Sequence, residues 1–144
     1  EYVDELYLMD KFRSLLPRAD IIALSLPETP LTRKIINADT LKLMKQNAVL
    51  INVGRGSAID TDALCDALES GRILGAALDV TDPEPLPKDH RLWKMKNAVI
   101  TPHVSGGFSL QETHDRIIGI CASNLEAYFG GRELLNIVDR SAGY

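Results

Sequence analysis

Cysteine is scarce in this chain: there are two in 144 residues, Cys65 and Cys121. They lie far apart inside helical patterns. A disulfide framework and a metal-ligand spacing are therefore excluded, no metal site is expected, and both are expected as small buried side chains in a reducing, cytoplasmic compartment. No apolar run approaches the ~18 residues that a membrane helix needs. The opening Glu1-Tyr2-Val3-Asp4-Glu5 has no basic head and no apolar signal core, so a membrane partner is not expected. An excess of positive charge is missing too: 16 Lys and Arg are scattered among 20 Asp and Glu, for a net charge of −4. Nucleic-acid binders concentrate basic residues on one face, so nucleic acid is excluded as a partner. Ten Gly and seven Pro follow no period, which excludes a collagen-like or low-complexity chain. What remains is 45% hydrophobic and 25% charged, enough apolar material to bury and ordinary for one globular domain.

Four short apolar runs cover residues 21–26, 48–53, 73–80 and 98–101. None alternates with polar residues, which predicts strands buried on both faces, as in a parallel sheet covered by helices. Their starts recur at steps of 25 to 27 residues, the spacing of βαβ units. Helical patterns lie between them. Asp10 is placed to cap a short helix that buries Phe12, Leu15 and Leu16 and stops near Pro17. Asn37 is placed to cap a second, with Leu41 and Met44 inward. Asp60 is placed to cap a third, with Leu64, Ala67 and Leu68 inward and Gly71 at its end. A longer pattern over 107–129 puts Leu110, Ile117, Cys121, Leu125 and Tyr128 on one stripe, with His114 packed beside it, and Gly130-Gly131 ends it. The tail, 134–144, reads as extended. The fold class expected is α/β: about four parallel strands with helices on both faces.

In such sheets ligands bind at the carboxyl ends of the strands, so the loops after the four runs are where chemistry is expected. After the second run comes Asn52-Val53-Gly54-Arg55-Gly56-Ser57. Glycine lets a ligand approach the backbone, and the planar fork of Arg grips a carboxylate in two places. The same loop is similar to the start of a G-x-G-x-x-G dinucleotide fingerprint, with Asp79 about where a ribose-binding acid would stand. Ile59 in place of the third Gly, and Arg55 within the turn, count against that reading. After the third run comes Asp79-Val80-Thr81-Asp82-Pro83-Glu84-Pro85-Leu86-Pro87, where prolines flank Glu84. After the fourth comes Thr101-Pro102-His103-Val104-Ser105-Gly106-Gly107, with His103 at a strand end. Histidine is the usual acid–base at neutral pH, and a nearby carboxylate keeps it protonated. His90, in the polar run Lys88-Asp89-His90-Arg91, is expected to be solvated. Arg, Glu and His on three successive loops supply an anion grip, an orienting acid and a proton donor. That set suits reduction of a carbonyl next to a carboxylate, with the hydride coming from a cofactor.

These residues resemble the D-isomer-specific 2-hydroxyacid dehydrogenases. The resemblance rests on Leu50-Ile51-Asn52-Val53-Gly54-Arg55-Gly56, on Ala76-Ala77-Leu78-Asp79-Val80 with Glu84-Pro85-Leu86, on Thr101-Pro102-His103, and on Leu26-Pro27-Glu28-Thr29-Pro30-Leu31-Thr32-Arg33. It implies a partial Rossmann-like sheet and an enzyme that interconverts a 2-oxo acid and a D-2-hydroxy acid with NAD or NADP. Arg55 would bind the substrate, His103 would be the acid–base and Glu84 its partner. Asp79 would hydrogen-bond the nicotinamide carboxamide. The backbone at Leu26, Pro27, Val53 and Gly54, with Arg55, His103, Ser105 and Gly106, would line the nicotinamide half of the cofactor. The Gly54-Arg55-Gly56 loop then resembles the catalytic Arg loop rather than a phosphate loop.

Arg91-Leu92-Trp93 is similar to branches acting on glyoxylate and hydroxypyruvate, and Thr81 stands where the family often has an aromatic. Family members are about twice as long. The expectation is that residues 1–144 are the carboxyl-terminal part of a dinucleotide-binding domain, with the substrate domain and the G-x-G-x-x-G half absent. An apolar sheet edge left open by that absence invites a homodimer or other self-association. The alternative function is a non-catalytic dinucleotide-sensing or partner-binding module of the same fold; the intact Arg55, Glu84 and His103 set argues against it.

Overall fold

The computed structural model describes residues 2–107 and 110–141. Residues 108 and 109, within the expected start of the last helix, and 142–144 of the tail lie outside the described residues. The chain divides into two compact units, Glu1–His103 and Val104–Tyr144.

In the first unit, β1 (Ile21–Leu24), β2 (Val49–Asn52), β3 (Gly75–Leu78) and β4 (Ala98–Ile100) form one parallel sheet in sequence order. All four fall inside the apolar runs. Parallel neighbours need a crossover after each strand. α2 (Ala38–Leu43) and α3 (Thr61–Glu69) supply the first two. The third holds a single 3-10 turn, Arg91–Lys94, because Pro83, Pro85 and Pro87 remove the N–H donors a helical ladder requires.

The helix starts follow from their caps. Asn37 Oδ1 accepts from the N–H groups of Asp39 (3.0 Å) and Thr40 (3.2 Å), and Thr40 Oγ1 accepts from the Asn37 N–H at 2.8 Å, a reciprocal capping box. Asp60 Oδ1 accepts from the Ala63 N–H, and α3 closes at Gly71 in the left-handed region. The first helical stretch differs from expectation. Asp10 lies inside a 3-10 turn, Met9–Lys11, and caps nothing with its side chain; α1 (Phe12–Leu15) and a second 3-10 turn, Leu16–Arg18, follow, and only Leu16 is fully buried. Pro17 leaves too few residues for a capped, propagating helix.

The core gathers Ile36, Leu41, Leu50, Leu64, Leu68, Ile73 and Leu92 around one row of the sheet, with Ile22, Leu24, Ala76 and Leu78. The other row stays open at Ile21 and Val99, which are 64% and 62% exposed. Burial on both rows was the expectation. A run that is apolar in both rows carries no alternation from which to tell which row is covered.

The second unit runs from Val104 and contains α4 (Gln111–Phe129) and the segment after it. Gly130 and Gly131 end the helix as expected. The Asn124 amide holds the Leu135 backbone, accepting from its N–H at 2.7 Å and donating to its carbonyl at 3.0 Å. The described part of the tail contains no strand. Cys121 and His114, expected to be packed, are exposed, as is the stripe of Ile117, Leu125 and Tyr128. Spacing of three and four marks such a stripe without naming what lies against it. Cys65 is buried as expected.

Candidate functional site

Hydrogen bonding between neighbouring strands continues one residue past each strand end. Val53 N–H donates to Leu24 O (2.9 Å), Asp79 N–H to Asn52 O (2.9 Å) and Thr101 N–H to Leu78 O (3.0 Å). The loops carrying Arg55, Glu84 and His103 therefore leave a common edge of the sheet in fixed register.

His103 and Glu84 meet there. Nδ1 of His103 lies 2.7 Å from Glu84 Oε1. A carboxylate only accepts, so the imidazole Nδ1 carries the hydrogen and Nε2 is left to take or give a proton. The two X-Pro peptide bonds around Glu84, Asp82-Pro83 and Glu84-Pro85, are cis. His103 itself sits at φ +54°, a left-handed conformation that is costly for a residue with a Cβ. Its N–H is held by two carbonyls, Asp79 O at 2.9 Å and Thr101 O at 3.0 Å. The surrounding chain thus fixes an unfavourable backbone at His103.

Asp79 is buried, and Thr101 Oγ1 donates to its Oδ1 at 2.5 Å. Asp79, Thr81, Glu84, Trp93, Thr101 and His103 all line one cleft of about 220 Å³. A carboxylate is kept out of water only where it has partners, and Thr101 is one of those of Asp79.

Arg55 is exposed on the neighbouring loop, and its Nη1 donates to the Gly54 carbonyl at 2.9 Å. Among the described residues it makes no hydrogen bond or ion pair with Glu84 or His103. Its loop, however, is pinned against both neighbours. A Cβ on Gly54 would fall 2.7 Å from the backbone N and O of Leu26, and one on Gly56 would fall 2.0 Å from the Thr81 carbonyl oxygen. At Gly56 the space a side chain would take is therefore filled by the chain's own backbone, so this glycine is accounted for by packing. Leu26 and Pro27 stand on the β1 loop, where Thr32 Oγ1 donates to the Pro27 carbonyl at 2.7 Å. Val53 is exposed. Ser105 and Gly106 belong to the second unit, in a turn closed by the Gly107 N–H on Val104 O at 3.1 Å.

Sequence reasoning passed over several supporting residues. Asn52, wholly buried at the end of β2, is one; Thr101 is another. A polar residue closing an apolar run was the available signal for both. Trp93 Nε1 donates to the Pro87 carbonyl at 2.8 Å, tying down the Glu84 loop. Arg91 fastens the same turn to α3, reaching Asp66 at 2.8 Å and the Asp62 carbonyl at 2.9 Å. His90, expected to be solvated, is half-buried and caps this turn: its Nδ1 accepts from the Leu92 N–H at 3.2 Å.

Residues 1–105 match the family model described as D-isomer specific 2-hydroxyacid dehydrogenase, NAD binding domain. The chain is 48% identical over 148 residues to an uncharacterized protein of Corynebacterium melassecola, covering 100% of this chain and 47% of that protein. It is 44% identical over 126 residues to the glyoxylate reductase of Aeropyrum pernix, covering 88% of this chain and 37% of that enzyme. In structure it is similar to a D-isomer specific 2-hydroxyacid dehydrogenase from Xanthobacter autotrophicus Py2, solved in complex with NADPH and MES. That similarity has a TM-score of 0.84 at 36% identity, over 94% of this chain and 55% of the other. The chain thus spans less than half the length of these curated relatives. With the four-stranded parallel sheet, its strand-end loops and the family match over most of its residues in hand, the chain belongs to the D-isomer specific 2-hydroxyacid dehydrogenases, in their NAD-binding domain.

Proposed function

We propose that residues 1–144 carry the acid–base and anion-gripping part of an NAD(P)-dependent oxidoreductase that interconverts a small 2-oxo acid and a D-2-hydroxy acid. The observation that carries the reading is the His103–Glu84 contact of 2.7 Å at the carboxyl edge of a parallel sheet. The residues present fit a nicotinamide: Asp79 is a buried acceptor in the cleft that also holds His103, and its Oδ1 is already fixed by Thr101.

When bound, the cofactor supplies or accepts the hydride. The Arg55 guanidinium grips the substrate carboxylate in two places and draws charge toward the carbonyl oxygen. His103 Nε2 gives its proton to that oxygen as it gains charge, so the carbonyl becomes a hydroxyl. Glu84, accepting from Nδ1, holds the ring and stabilises the imidazolium before transfer. Asp79 would hold the carboxamide, and the backbone of Leu26, Pro27, Val53 and Gly54 would line that half of the cofactor. For Ser105 and Gly106 the same role rests on the family resemblance alone.

The similarity to a glyoxylate reductase makes glyoxylate the first substrate to try. Within this reading the chain is the carboxyl-terminal part of a dinucleotide-binding domain, acting in the cytoplasm and assembling as a homodimer. The test is a titration of the intact protein with NADH and NADPH, followed by nicotinamide fluorescence, then a screen of small 2-oxo acids. Saturable binding and reduction of at least one acid is the expected result. Binding with no acid reduced would overturn the catalytic reading in favour of a sensing module.

A further inference from the structure

Asn52 stands where the pattern calls for a leucine. It pairs across the sheet with Leu24 of β1 and Leu78 of β3, in the buried row, and is 0% exposed. An amide buried among leucines is destabilising unless its polar atoms are satisfied. Both are, and both by the same loop. Asn52 Oδ1 accepts from the Gly54 N–H at 3.1 Å, and Asn52 Nδ2 donates to the Arg55 carbonyl at 2.9 Å. Among the described residues no other hydrogen bond pins the Gly54 N–H. The amide therefore bridges the Val53–Gly54 and Arg55–Gly56 peptide groups, with the Gly54–Arg55 peptide between them, while Gly54 and Gly56 are wedged against Leu26 and Thr81.

We propose that Asn52 is a positioning residue for Arg55: its side chain sets the backbone from which the guanidinium reaches the substrate carboxylate. The inference rests on the role of Arg55 proposed above. A leucine would fill the same volume, take the partner from the Gly54 N–H, and leave the Arg55 carbonyl with only the Ala58 N–H at 3.1 Å. Aspartate would keep the acceptor for Gly54 and put a carboxylate oxygen, in place of a donor, against the Arg55 carbonyl.

The test has two parts, both on the intact protein. Amide hydrogen exchange of Asn52→Ala and Asn52→Asp reads the clamp itself. Gly54 should exchange faster in Asn52→Ala and stay protected in Asn52→Asp, with Val53 and Asp79 protected in both. A Gly54 amide unchanged in Asn52→Ala overturns the proposal. The second part is a double-mutant cycle on 2-oxo acid reduction. Each Asn52 variant should lose on the order of tenfold to a hundredfold in kcat/KM, the loss expected of a slightly misplaced substrate group. In an Arg55→Ala background the same substitution should cause no further loss. Leu50→Val, a core change in the same strand at a residue that pairs with Ile22 and Ala76, should lower Tm and leave KM unchanged. Additive losses in the cycle mean a merely structural role and overturn the proposal. If the unaltered protein reduces no 2-oxo acid, the functional reading fails, and the exchange result alone decides whether the clamp stands.

Discussion

At the scale of single residues, chemistry and packing compete for the same few positions. Gly56 shows which one holds it. Its missing Cβ is replaced by the Thr81 backbone, so Gly56→Ala should lose soluble, folded protein rather than ligand affinity alone, as read by circular dichroism and yield. A Gly56→Ala protein that melts like the parent would contradict the close approach. The two cysteines differ in the same way. Burial pushes the Cys65 thiol up, against the opposing pull of the nearby Arg91 charge, while Cys121 is exposed. One thiol of the native protein should react with an aromatic disulfide reagent and the second only after unfolding. Two equally fast thiols would contradict the burial of Cys65. Arg91 is meanwhile held by Asp66, whose hydrogen bond is the chief reason its pKa is raised.

At the scale of elements, stability is set at helix starts and loop anchors. Asp60 caps α3 and also pairs with Lys34 Nζ at 3.0 Å. The Lys34 hydrogen bond, then the Ala63 N–H, hold its carboxyl below the usual aspartate range. A folded-state pKa below the unfolded one means the contribution is complete above that value and is lost as pH falls through the folded pKa. Asp60→Asn should therefore lower stability to urea at pH 7, and the gap to the parent should close as pH drops below about 3.8. A gap that widens in acid would reverse the sign. Asn37→Ala removes the capping box of α2 and should cost about 1 kcal/mol, read by the same denaturation. Its cap was legible because an Asn ahead of an apolar period has few other uses. The Asp10 cap was misread because Pro17 truncates the helix it would have served. Arg72, which anchors the Lys42 and Met44 carbonyls at the end of α2, had no local signal, since its partners lie about 30 residues earlier in sequence.

At the scale of the whole molecule, the four parallel strands and the strand-end loops were readable because each strand was a bounded apolar run. The side chains of Arg55, Glu84 and His103 could be assigned to those loops from sequence alone. Their geometry could not. The His103–Glu84 contact depends on a left-handed backbone at His103, and the Arg55 loop depends on Asn52, which looks like an ordinary strand-end residue until its burial is known. Nor could the exposed row be seen. β1 is an edge strand with Ile21 open, and Val99 lies open on β4. An uncovered apolar sheet of this kind associates, so the 144-residue chain alone should form dimers or larger species in light scattering. A monodisperse monomer would count against that.

The most direct measurement of the central claim is the steady-state reduction of glyoxylate by the intact protein and its His103→Ala variant, with cofactor binding followed in parallel. Loss of a general acid predicts a fall in kcat of ~10²- to 10⁴-fold while the nicotinamide cofactor still binds. Near-normal turnover without the imidazole would contradict the account.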